Sequence, residues 1–86
     1  MVEFFSEENL RMLVVICKKY IKDKFDFEIE DEQALKQTTY NIMNDVVEEC
    51  RGMSVPLEKK NVAVLNSVKE VYVKRYRLIP SSGGKP

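Results

Sequence analysis

Fourteen carboxylates in a chain of 86 residues make acid–base catalysis the first chemistry to test. Asp26, Glu28, Glu30, Asp31 and Glu32 form one run, and Asp45, Glu48 and Glu49 a second. A hydrolytic pair needs two carboxyls held in a cleft with their pKa values pushed apart. These positions read instead as solvated helix and loop faces on a chain too short to enclose a cleft. The first run also lacks the glycine and the oxygen-ligand spacing of a calcium loop. With no histidine and only Cys17 and Cys50, far apart in sequence, neither a zinc site nor a Cys–His nucleophile can be assembled. The chain therefore reads as a non-enzyme, with no catalytic, metal-binding or cofactor-binding residues and no cofactor.

Lys69, Lys74, Arg75 and Arg77, interleaved with Tyr72 and Tyr76, are the second candidate chemistry. Such a comb can meet phosphates and stack bases. A simpler explanation covers the same residues: cations stabilise the C-terminal end of a helix, and the two tyrosines fit its inner stripe. The net charge is zero, yet it is unevenly spread. Residues 1–25 carry a net +1, residues 26–50 a net −7, and residues 51–86 a net +6. The acidic middle repels a polyanion, so nucleic acid is not the expected partner. A folded chain with this distribution is a dipole that attracts complementary surfaces, its own copies included.

An apolar fraction of 44% with 33% charged residues is that of a globular protein with one core. The longest apolar run, Met12 to Cys17, is too short to span a membrane. No basic group precedes Phe4 and Phe5 in the manner of a secretory leader, so none is expected. Both cysteines fall on core-type positions and are expected to be buried, reduced thiols, which suits an intracellular compartment.

These side chains must be positioned by helices. Phe5-Ser6-Glu7-Glu8-Asn9-Leu10 is a complete helix start. Ser6 accepts from free backbone N–H groups, Glu7 and Glu8 complement the dipole, and Phe5 staples to Leu10. The first helix is expected from about Glu7 to Lys24, burying Leu10, Leu13, Val14, Cys17, Tyr20 and Ile21 at helical spacing. The second is expected from about Glu32, capped by Asp31, to Arg51, with Gly52 as its stop. Leu35, Thr39, Ile42, Met43, Val46 and Cys50 mark its inner face. The third is expected from Leu57 to Tyr76, with Pro56 suiting its first turn and Leu57, Val64, Leu65, Val68, Val71, Tyr72 and Arg75/Tyr76 on its stripe. Asn61 and Asn66, unusual inside a helix, either hydrogen-bond across helices or to a partner, or are exposed polar positions. The fold class is all-α: an up-down-up three-helix bundle in a single domain over residues 1–79, followed by a Ser/Gly-rich flexible tail or linker over 80–86.

Apolar residues remain that this core does not need. Phe4 is surplus beside the cap, and Met12, Val15 and Ile16 lie off the first helix's buried stripe. Phe25, Phe27 and Ile29 alternate with acids between the first two helices. That alternation describes an extended segment with one buried side, either a lid over the bundle's end or an edge strand for another protein. An exposed apolar patch usually marks a protein contact. The expected partner-binding residues are therefore Phe4, Met12, Val15, Ile16, Phe25, Phe27 and Ile29, with Lys74, Arg75 and Arg77 setting orientation opposite the acidic run.

Three fragments carry a resemblance. Phe4-Phe5-Ser6-Glu7-Glu8-Asn9-Leu10 is similar to the aromatic-Phe-Ser/Asn-x-Glu-Asn-aliphatic start of small helical proteins of nucleocytoplasmic large DNA viruses. Tyr40-Asn41-Ile42-Met43-Asn44-Asp45-Val46 resembles their middle segment, and Val64-Leu65-Asn66-Ser67-Val68 their Leu-Asn-x-x-Val segment. This chain departs from the family in showing no long segment after that motif, and its Ser/Gly tail either continues into such a region or replaces it. The resemblance implies a minor capsid or capsid-associated component, contacting major capsid or other virion proteins, in the virion or the host cytoplasm. The alternatives are a cellular adaptor or regulatory helical domain, or a small nucleic-acid-binding protein using the basic end of the third helix.

Overall fold

The computed structural model describes residues 3–80. The expected tail falls almost wholly on residues 81–86, outside the described residues. Three helices, α1 (Glu7–Phe25), α2 (Glu32–Glu49) and α3 (Leu57–Tyr76), pack pairwise into one bundle, and no strand occurs among the described residues. Side-chain pairs give the directions. Asn9 and Tyr20 of α1 meet Asn61 and Lys69 of α3, so these two helices run the same way. Glu7 of α1 reaches Lys36 of α2 while Lys18 reaches Glu32, so α2 runs against them. The bundle is up-down-up.

The ends form where local chemistry dictates. Ser6 is the N-cap of α1, its hydroxyl accepting from the Asn9 N–H at 3.0 Å, and Asp31 caps α2 through the Ala34 N–H at 3.0 Å. Replacing Ser6 by alanine leaves that N–H without its acceptor and is expected to cost about 1 kcal/mol, read as a shift in denaturation midpoint. Helix α3 starts at Leu57 as expected, with Pro56 as its N-cap in extended backbone. The proline's missing N–H costs nothing there because no helical acceptor awaits it. Helix α2 stops at Glu49, two residues short of expectation, and Gly52 with φ +80° then turns the chain. Asp26 and Arg77 end α1 and α3 in left-handed backbone, each N–H returning to a carbonyl four residues back.

The core is Leu10, Leu13, Val14, Cys17 and Ile21 from α1, Leu35, Met43 and Val46 from α2, and Val64, Val68 and Tyr72 from α3. Tyr20, Ile42, Cys50, Leu57, Leu65 and Val71, expected on the inner stripes, are half-buried at their edges. Thr39 is fully buried and satisfies its hydroxyl on the Leu35 carbonyl at 2.7 Å. Tyr76 departs from expectation: it is 48% exposed, stacked outside Tyr72. One turn beyond Tyr72, its ring lies against Tyr72 and Phe27 and covers the end of the core without entering it.

Candidate functional site

Two groups of the expected contact residues belong to the fold. Phe4 is buried at 8% exposure and joins the core. The carboxamide of Asn9 donates to its carbonyl oxygen at 2.9 Å, folding the segment before the cap back onto the bundle. The Lys60 ammonium covers its ring at 4.8 Å. Phe5, expected to staple onto Leu10, is the exposed one of the pair, with its ring between Phe4 and Tyr40. Chain reversal at Ser6, whose N–H donates to the Glu3 carbonyl, exchanges the two rings' roles.

The segment 26–31 forms neither helix nor strand and serves as a lid. Ile29 is buried, correcting its place among the contact residues, and Phe25 and Phe27 are half-buried. Phe27 packs on Tyr76 at 4.9 Å between ring centres, and Phe25 meets Tyr20 edge-on at 6.2 Å. The intervening acids face Lys22, which bonds Asp26 at 3.0 Å and approaches Glu28 at 3.8 Å. The hydrogen bond to Asp26 raises the Lys22 pKa above its ordinary value. The chain entering the lid therefore meets one cation of α1, Lys22.

The basic end of α3 is similarly engaged. Lys69 lies over the Tyr20 ring at 3.9 Å and Arg75 over Tyr72 at 5.5 Å, while Lys74 pairs with Glu70 at 3.3 Å. Burial pushes the Tyr72 hydroxyl's pKa up, and Tyr76 beside it adds to the rise. Lys74, Arg75 and Arg77 are exposed, but the first two are directed along their own helix and not outward as a comb.

What remains is the outer face of α1. Met12 is 44% exposed, Val15 59% and Ile16 39%. With each residue advancing about 100°, Glu8, Met12, Val15 and Lys19 stand within about 60° of one another, opposite the side that buries Leu13, Cys17 and Ile21. Beside this ridge, Val14 and Val15 floor an open groove of about 390 Å³ with Arg11, Glu32, Gln33 and Lys36. Lys36 bonds Glu7 at 2.8 Å and Lys18 approaches Glu32 at 3.8 Å across the two helices, while Arg11 approaches Glu7 at 3.7 Å within α1. The Lys36 ammonium holds the Glu7 carboxyl below the usual carboxylate range. An apolar strip flanked by fixed charges suits a protein surface. Among the described residues no three His, Cys, Asp or Glu side chains stand together as metal ligands, and no helix is long and apolar enough to cross a membrane.

Both thiols are free, but they differ. Cys17 is fully buried in α1, whereas Cys50, expected to be buried too, borders a surface hollow of about 180 Å³ with Val47, Met53 and Val55. Cys50 is the C-cap, one residue past the end of α2, so its side chain reaches the rim. A thiol reagent should label Cys50 in the native protein and Cys17 only on unfolding, read by mass spectrometry. Burial raises the Cys17 pKa from 9.0 to about 11. Between those values the unfolded chain has lost a proton that the folded chain retains, so stability should fall as pH rises through that window.

No family model, curated protein or solved structure matches this chain. Its function must be argued from the surface just described.

Two features of the site escaped sequence reasoning. Asn9, inside the capping sequence, is a buried cross-helix link: its carboxamide and that of Asn61 exchange hydrogen bonds at 3.0 and 3.1 Å. Asn61 was already a candidate for a hydrogen bond across helices, but nothing local marked Asn9 as its partner. The groove beside Val15 needs the offset of α1 against α2, which no local pattern encodes.

Proposed function

We propose that this chain is a non-enzymatic interaction module that makes protein–protein contacts through the outer face of α1. We further propose that it works as a minor capsid or capsid-associated component in the particle of a large DNA virus. One observation carries the first part: Met12, Val15 and Ile16 form an apolar strip on the side of α1 away from its own core. Nothing in the bundle requires apolar residues there, and a solvated helix face is ordinarily polar. The setting rests on the three resembling fragments. Several of their residues, Asn9, Leu10, Met43, Val46, Val64 and Val68, are buried here. Major capsid subunits, or other virion proteins, are the partners this reading supplies.

Nucleic-acid binding is the poorer reading. Lys69 and Arg75 cover tyrosine rings and Lys74 holds Glu70, so a polyanion would have to displace existing contacts.

The test is assembly of the tagged full chain in cells producing such particles, followed by gradient separation. The chain is expected in the particle fraction. Val15→Ser should reduce its incorporation about tenfold or more, as loss of a central apolar contact does. The same change should alter the fold's stability by no more than about 0.5 kcal/mol. A chain that stays free of particles while binding a cellular protein through the same face would overturn the viral setting. Equal losses of folding and incorporation would overturn the assignment of the face.

A further inference from the structure

The ridge of α1 reads, from its N-terminal end, as acid, apolar, apolar, base: Glu8, Met12, Val15, Lys19. This order is complementary to itself when reversed. A second α1 laid antiparallel across the first, its midpoint between Leu13 and Val14, sets Glu8 of each copy against Lys19 of the other. Met12 then faces the region of Val15, and Ile16 flanks Met12. Glu8 and Lys19 are separated by about 16 Å along the helix axis, and a twofold axis makes both charge contacts at once. A parallel copy would instead set Glu8 on Glu8 and Lys19 on Lys19. Antiparallel helices also oppose their macrodipoles.

We infer that the outer face of α1 pairs with the same face of a second copy of this chain, as an antiparallel, twofold-symmetric contact. This names the partner of the surface assigned above and rests on that assignment. Lys19 currently approaches Asp23 of its own helix at 3.2 Å, with both side chains well exposed. Pairing exchanges that solvent-screened contact for one at the margin of an apolar seam. A single helix face of this size buries less than the roughly 800 Å² per partner of a stable interface, so the pair is weak and concentration-driven. Repetition in an assembly, where local concentration is high, is the setting in which such a contact counts.

The experiment is sedimentation velocity of the full chain across about 10 µM to 1 mM, the range expected of a small interface. The weight-average mass should climb toward twice the monomer, and more steeply at low salt than at high. Val15→Glu should keep the chain monomeric. Glu8→Lys alone and Lys19→Glu alone should each weaken association. Mixing these two single variants restores both charge contacts and should recover it, as should the double exchange within one chain. Circular dichroism of each variant shows whether the bundle is intact. A chain monomeric throughout overturns the inference, as does a dimer indifferent to Val15→Glu or a charge exchange without recovery. If the chain stays monomeric but Val15→Ser still prevents incorporation into particles, the face is a docking surface for another protein. The earlier proposal then stands without this one.

Discussion

Replacing Leu13 by alanine is expected to destabilise the bundle by about 3 kcal/mol, through lost apolar transfer and the cavity left behind. Leu13 is fully buried where α1 faces the rest of the core. A domain of this length holds roughly 4–13 kcal/mol in all, so the loss is a large share of its stability. Its neighbour Met12 points away from the core, and Met12→Ala is expected to move stability by no more than about 0.5 kcal/mol. Urea denaturation of the two variants should therefore separate their midpoints clearly with unchanged slopes. Similar losses at both positions would mean that α1 is buried all round and has no outer face to offer.

The second large effect is expected at Asn9. Its carboxamide donates to the Phe4 carbonyl at 2.9 Å and exchanges bonds with Asn61 across the α1–α3 seam. Alanine there strands a buried carbonyl and half of the Asn61 amide, groups that cost about 1–3 kcal/mol each when left unpaired. The better helix propensity of alanine offsets about 0.5 kcal/mol of this. A net loss of about 2 kcal/mol is expected, which lowers Tm by roughly 8–16 °C in a domain of this size. Asn61→Ala should cost less, and the double variant less than the sum of the two. A double-mutant cycle should give a coupling of about 1 kcal/mol. Strict additivity would show that the two amides do not meet. Neither substitution touches Val15, so neither should alter the docking face in the folded molecule.

Much of this arrangement was legible before any coordinates. The caps at Ser6 and Asp31, the start of every helix and the inner stripe of α1 follow from spacing and local hydrogen-bond chemistry. Those signals are local, operating over one turn, and survive whatever the helices pack against. The exposure of Met12, Val15 and Ile16 was legible for the same reason, because a helix of fixed pitch with two neighbours must turn one side outward. The roles of Phe4 and Phe5 were not. Which of two adjacent rings enters the core depends on how the chain turns before Ser6 and on the Asn9 carboxamide drawing the Phe4 carbonyl inward.

Alternation in Phe25–Glu30 correctly implied one buried side, although Phe25 closes α1 and Asp26 is left-handed, but periodicity is indifferent to what lies on that side. Tyr76 and the end of α3 supplied it, so these residues close the bundle. Composition likewise set the basic character of residues 69–77 without saying whether the cations face solvent or rings. Lys69 over Tyr20 and Arg75 over Tyr72 are the outcome of helix register, which depends on side chains far apart in sequence. The sequence by itself determined where the helices begin and which side of α1 is left outward, because turns and pitch are settled by near neighbours. Only the tertiary structure decided which aromatic rings belong to the core, which cations are engaged and how Asn9 meets Asn61, because those contacts exist only once three helices share one axis.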